Sequence, residues 1–132
     1  MKILHAAAEG VPFSKTGGLA DVIGALPKAL TKEGLDLAVI LPKYADTPRE
    51  YADQMELVHR FSVHLGWRNQ YCGVFRLEHE GVLFFFLDNE AYFKRPGTYG
   101  FFDDAERYAF FNRAVLEALP ALNFQPDLIH CH

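Results

Sequence analysis

The chain is 132 residues long with a mass of 15.0 kDa; half of its residues are hydrophobic and 14% aromatic, enough for one domain with a substantial core. A formal net charge of −4, with both signs mixed along the chain, excludes a basic nucleic-acid footprint and a polybasic membrane arm. The apolar start is cut by Glu9, too soon for a signal peptide or a membrane span, and Cys72 and Cys131 form no CxxC pair or disulfide framework, which fits a reducing, cytoplasmic setting.

Residues 2–8, KILHAAA, have the length and apolar character of a buried strand, bounded by Glu9, Gly10 and Pro12. From Gly18 the period changes. Leu19, Val22, Ile23, Leu26 and Leu30 fall on one stripe of a helix ending near Gly34, with Asp21, Lys28 and Lys32 on the other face. Pro27 inside this helix removes one backbone hydrogen bond, costs about 3 kcal/mol and predicts a kink. Residues 36–41 are a second buried strand, stopped by Pro42. Strand, helix and strand in this order predict a parallel, right-handed βαβ unit.

Residues 57–65 and 71–78 carry aromatic and β-branched residues around a Gly-Trp-Arg-Asn-Gln turn. Glu80-Gly81 punctuates the step to VLFFFL (82–87), so an antiparallel hairpin feeds back into the main sheet. Residues 93–104 read as an aromatic loop by their Pro and Gly content. Asp103 or Asp104 caps a helix over roughly 105–119, with Tyr108, Phe111, Val115, Leu119 and Leu122 on its buried face. PDLIHCH closes the chain as a last strand after Pro126. The fold class is therefore α/β, a Rossmann-like parallel sheet flanked by helices with an inserted antiparallel hairpin. Ligands of such sheets gather at the carboxyl ends of the strands, where this chain stops, as a piece of a longer protein would.

Four groups of residues carry candidate chemistry. Lys15, Gly17 and Gly18 stand where the first strand hands over to the helix; glycines there let the backbone approach a ligand, and the first helical N–H groups carry partial positive charge. The turn is neither a Walker P-loop nor GxGxxG, and a tight turn with a solvated lysine accounts for it equally well. Glu9 and Asp21 flank it, able to hold sugar hydroxyls, or else to pair with Lys15 and to favour the helix dipole, respectively. Phe93, Tyr99, Phe101 and Phe102 could stack on sugar rings or pack their loop onto the domain. His130 and His132, two apart on a strand, share one face with Cys131 opposite. No third ligand stands at a telling spacing, so no metal is expected, and a sugar contact suits His132 better.

Taken together, KILHAAAE with Glu9, KTGGLADVIGALPKAL (15–30), VILP (39–42), YFKRPGTYG (92–100), DDAERYAFFNRAVLE (103–117) and PDLIHCH resemble the amino terminus of the bacterial glycogen synthase and plant starch synthase family, along the whole chain. The resemblance implies the first part of the amino-terminal domain of a two-domain GT-B glycosyltransferase, without the carboxy-terminal domain. Such enzymes move glucose from ADP-glucose, or UDP-glucose in some relatives, to the non-reducing end of an α-1,4-glucan with retention, and need no cofactor or divalent cation. It further implies that Lys15 contacts the donor's phosphate or sugar while Gly17 and Gly18 admit it to the backbone amides. Glu9 and Asp21 align with acidic cleft positions, as sugar contacts or as supports for the loop. No catalytic residue is assigned. The family pattern continues after the final His with Asp-Trp, beyond His132, and its second domain supplies most of the nucleotide pocket; this chain alone is expected to lack synthase activity and to bind ADP-glucose feebly at most.

Two other readings compete: another GT-B enzyme using a nucleoside diphosphate sugar, of sucrose or trehalose synthase type, and a non-catalytic glucan-binding module built on Phe101 and Phe102. A plain dinucleotide-binding domain is disfavoured, because Leu41-Pro42-Lys43 ends the second strand where an acidic residue belongs.

Overall fold

The computed structural model describes all residues, 1–132. In chain order the elements are β1 (Lys2–Ala6), α1 (Gly18–Lys32), β2 (Asp36–Pro42), α2 (Arg49–Ala52), β3 (Glu56–Leu65), β4 (Arg68–His79) and β5 (Val82–Asp88). Then follow α3 (Glu90–Phe93), α4 (Asp104–Ala118), a 3-10 turn at Leu119–Ala121 and β6 (Leu128–Cys131). The six strands make one sheet in the order β3-β4-β5-β2-β1-β6. Four are parallel, and β3 and β4 run antiparallel at one edge.

Taken in chain order, the parallel strands are arranged third, second, first, fourth. The order reverses between β1 and β6, and the crevice outside the carboxyl ends of strands at such a reversal is where open α/β sheets bind ligands.

The central strands are apolar throughout because both faces are covered. Val39, Leu41, Phe84 and Phe86 pack with Phe13 and Ile23 on the α1 side, while Ala38, Ile40, Phe85 and Leu87 pack with Phe110, Phe111 and Ala114 on the α4 side. Phe85 is fully buried, and truncating it to Ala would cost about 3–5 kcal/mol. The hairpin joins this core through Val63, Cys72 and Val74. Burial also pushes the Cys72 thiol up to about 12, so it stays an inert packing group.

Several elements differ in detail from the sequence reading. The hairpin turn is two residues, Gly66-Trp67, with Gly66 in the left-handed region at φ 61°, so Arg68 to Gln70 already belong to β4. α1 runs continuously through Pro27, and its fully buried line is Ala20, Ile23 and Pro27, leaving Val22 exposed. Counting only large apolar residues rotated the expected face, because small Ala20 and the proline ring pack closest. On α4 the buried face centres on Arg107, Phe110, Phe111, Ala114, Val115 and Ala118; Tyr108 and Leu119 are only half-buried, though Leu122 is buried as expected. Arg107 occupies a core position because its Nε and Nη1 groups meet main-chain carbonyls and the Asp104 carboxylate. Of the hairpin histidines, His59 and His64 are exposed, whereas His79 packs edge-on against Phe13 and Tyr51.

Candidate functional site at the carboxyl edge of the sheet

The link from β1 to α1 is built around Glu9, which is 2% exposed. One carboxylate oxygen accepts the Thr16 N–H at 2.9 Å and the Thr16 hydroxyl. The other accepts the N–H groups of Gly17 at 3.2 Å and Ala20 at 3.3 Å. Gly17 is the residue before the first helical turn and has no side chain to cap it. Glu9 therefore performs the capping from the end of the preceding strand, placing a negative charge at the positive end of α1.

A helix leaves its first four N–H groups without internal partners, here those of Gly17, Gly18, Leu19 and Ala20. Glu9 takes the first and last. No protein acceptor reaches the N–H of Gly18 or Leu19. The same turn carries Lys15, whose ammonium lies 2.9 Å from both carboxylate oxygens of Asp21 and is exposed. Asp21 thus pairs with Lys15, and Glu9 does not.

The glycines of this turn are not needed for packing. Gly17 has extended backbone at φ −160°, open to any residue. A Cβ on it would meet only a Glu9 oxygen at 3.9 Å, and one on Gly18 would meet nothing within 4 Å. Gly10 is the contrast: a Cβ there would stand 2.7 Å from Ile23 Cγ2, inside the helix–strand contact. The space over Gly17 and Gly18 is open solvent above two free N–H groups.

The loop after β5 reaches this turn through Tyr99, which lies beside Glu9. Asn89 caps α3 by accepting the Tyr92 N–H at 3.0 Å. Arg95 donates to both carboxylate oxygens of Asp103, at 2.6 and 2.9 Å. Fully buried Arg107 donates to Tyr92 O at 2.7 Å, Thr98 O at 3.0 Å and Asp104 at 2.8 Å, and its guanidinium lies over Phe101. Phe93 and Phe101 therefore pack inward and half-exposed Tyr99 lies against Tyr108, whereas Phe102 faces solvent. The phenols of Tyr44 and Tyr108 sit 2.8 Å apart, Tyr44 donating to Ala8 O and Tyr108 to Thr98 O, so the loop is tied to the end of β1. Burial, with the Glu9 charge next to it, raises the Tyr99 phenol to about 12.

The sequence reading of the histidines needs one correction. A third ligating group does exist: His5 on β1 lies opposite His130 in the parallel register, and His5, His130 and His132 offer nitrogens all within 4.8 Å of one another. No spacing rule reaches a residue 125 positions away; only the pairing of β1 with β6 supplies it. His5 Nδ1 lies 2.8 Å from His132 Nε2, and burial, aided by the two neighbouring imidazoles, lowers His5 to about 4. His132 is lowered as well, mainly by burial.

The structure thus gathers Lys15, Gly17, Gly18, Glu9 and Asp21 on one turn and sets His132 apart, with the histidines on the neighbouring strand. Sequence reasoning missed His5, Arg107 and the Tyr44–Tyr108 pair, all of which depend on contacts between elements distant in the chain.

An α/β sheet with a strand reversal between β1 and β6 and a helix start with free amides beside it defines the class, a Rossmann-like α/β domain. Comparison with known proteins narrows the class. The family model described as starch synthase catalytic domain matches residues 2–132, and the chain belongs to that family. It is 61% identical over all 132 residues to a glycogen synthase from Desulforamulus reducens and 57% identical to one from Geobacillus stearothermophilus. It spans 28% and 27% of the length of these relatives. Among solved structures it resembles the catalytic domain of starch synthase IV from Arabidopsis thaliana bound to ADP and acarbose. The TM-score is 0.87 at 33% identity, covering 98% of this chain and 27% of that one.

Proposed function

We propose that this chain is the amino-terminal, Rossmann-like part of a cytoplasmic GT-B glucosyltransferase that transfers glucose from ADP-glucose to the non-reducing end of an α-1,4-glucan. The observation that carries the reading is the open turn at Gly17 and Gly18, where two free amides and the exposed Lys15 ammonium share one surface. Cleaving the bond between glucose and the diphosphate builds negative charge on the leaving phosphate. Preorganised N–H donors and an ammonium aimed at that charge lower the barrier, each worth several kcal/mol in a closed cleft. The rest of the cleft belongs to a second domain, so the chain alone is one wall of the site.

In this reading Lys15, Gly17 and Gly18 meet the donor's phosphate. Asp21 holds Lys15 in position until the donor arrives. Glu9, already engaged by four donors of its own chain, supports the turn rather than touching sugar. His132, at the carboxyl end of β6, faces the transferred glucose.

A donor and acceptor screen of the complete protein tests this. Incorporation of glucose from ADP-glucose into glycogen, with retained anomeric configuration, is the expected result. Transfer to fructose or glucose 6-phosphate in place of glycogen would move the chain to another branch of the GT-B enzymes.

A further inference from the structure

Outside the donor turn, the densest group of ligating side chains is His5, His130 and His132. Strand pairing places them: His5 faces His130 across the β1–β6 register, and the His132 N–H bonds Ala6 O at 2.9 Å, which continues the pairing one residue further. The imidazole centroids are 4.9 Å (His5–His130), 5.1 Å (His5–His132) and 4.1 Å (His130–His132) apart. His5 is fully buried beneath the two exposed rings, and its Nε2 has no partner at all.

We propose that His5, His130 and His132 form a three-histidine site for a Zn2+-type ion; the ring that now donates between His5 Nδ1 and His132 Nε2 takes its other tautomer, its proton moving to the opposite ring nitrogen, so that both of these nitrogens offer a lone pair to the metal. Three imidazoles without a carboxylate suit borderline ions such as Zn2+ or Ni2+ and disfavour Mg2+ and Ca2+. Three histidines plus one open position is a known Zn2+ arrangement, with Zn–N distances of about 2.0–2.1 Å. Nitrogens bound to one tetrahedral ion stand about 3.3 Å apart on that geometry, so the 2.8 Å His5–His132 contact opens by roughly half an ångström. The exposure of His130 and His132 gives the ion a route from solvent and leaves its fourth position to water. If His132 faces the transferred glucose, an extension that rests on the function proposed above, the bound ion removes it from the cleft and Zn2+ inhibits glucosyl transfer.

Calorimetric titration of ZnCl2 into this chain, with no donor present, tests the site independently of that function. One ion per chain is expected. The exposed His130→Ala variant should weaken binding at least about tenfold, and His132→Ala likewise, whereas the hairpin control His59→Gln with His64→Gln should bind as the parent does. Co2+ in place of Zn2+ should give the visible absorption of a four-coordinate site in the parent and lose it in His130→Ala. Absence of stoichiometric binding, equal binding by His130→Ala, or loss of binding in the hairpin control would each overturn the proposal. Loss of donor use in Lys15→Gln with unchanged Zn2+ affinity would separate the two sites.

Discussion

The ammonium of Lys15 lies 2.9 Å from both carboxylate oxygens of Asp21, on an exposed face of the first turn of α1. An exposed pair of this kind contributes at most about 1 kcal/mol to stability, because water screens both partners. On the function proposed above, the pair holds Lys15 on the turn that carries the free amides of Gly18 and Leu19. Asp21→Asn should therefore leave the urea unfolding midpoint nearly unchanged while loosening Lys15. In the complete enzyme the variant should raise the KM for ADP-glucose, and a wild-type KM would assign the pair to the surface alone.

Glu9 behaves in the opposite way. Its buried carboxylate receives three backbone N–H groups and one hydroxyl, and no lysine. Glu9→Gln replaces one acceptor oxygen by an amide NH2 that points donors at donors. The expected cost is about 2 kcal/mol or more, measured by urea denaturation of the chain. A loss below about 0.5 kcal/mol would mean that Glu9 does not cap α1.

Gly17→Ala and Gly18→Ala separate packing from ligand access. Neither Cβ meets a close neighbour, so both variants should fold with stability unchanged or raised by up to about 1 kcal/mol. Donor affinity of the complete enzyme should nevertheless fall, since a methyl group then covers the amides. Gly10→Ala is the control, and it should destabilise the chain by crowding Ile23.

His5 predicts an acid limb to stability. Unfolded, its imidazole takes up a proton below its ordinary value of 6.5; folded, it stays neutral down to about 4. Stability from this group is therefore complete above pH 6.5 and declines as pH falls from 6.5 to 4, by up to about 1.4 kcal/mol per pH unit. Thermal unfolding midpoints across that range should fall less steeply for His5→Gln than for the parent. Parallel slopes would contradict the assignment.

The β1–α1–β2 unit was legible in the sequence because its elements announce themselves locally: short apolar runs for the strands and a 3.6-residue period for the helix. The same holds for the step from β4 to β5, whose Glu80-Gly81 turn sits in the left-handed region at both positions. Lys15, Gly17 and Gly18 were legible as a candidate site for the same reason, since strand, turn and helix follow one another. Glu9 was legible as a position but not as a cap, because its four donors come from residues 7 to 11 positions further on in a folded turn. Arg107 and His5 were not legible. A buried arginine is stabilised by carbonyls of the loop packed against it, and the partners of His5 come from the other end of the chain through strand pairing.

Arg107 should act as the latch of that loop. Arg107→Gln removes its donors to Tyr92, Thr98 and Asp104 and leaves the buried Tyr92 carbonyl unpaired, at an expected cost above about 2 kcal/mol. Limited proteolysis should then cut at Lys94 and Arg95 faster than in the parent, and equal cleavage rates would remove Arg107 from this role.

The claim that the Lys15 turn receives the donor's phosphate is tested most directly by steady-state kinetics of the complete protein carrying Lys15→Gln. Loss of one charge-assisted contact in the transition state should lower kcat/KM for ADP-glucose by about 10- to 100-fold, with an unchanged unfolding midpoint. Wild-type kinetics in a folded Lys15→Gln enzyme would contradict the account and return this turn to a structural role.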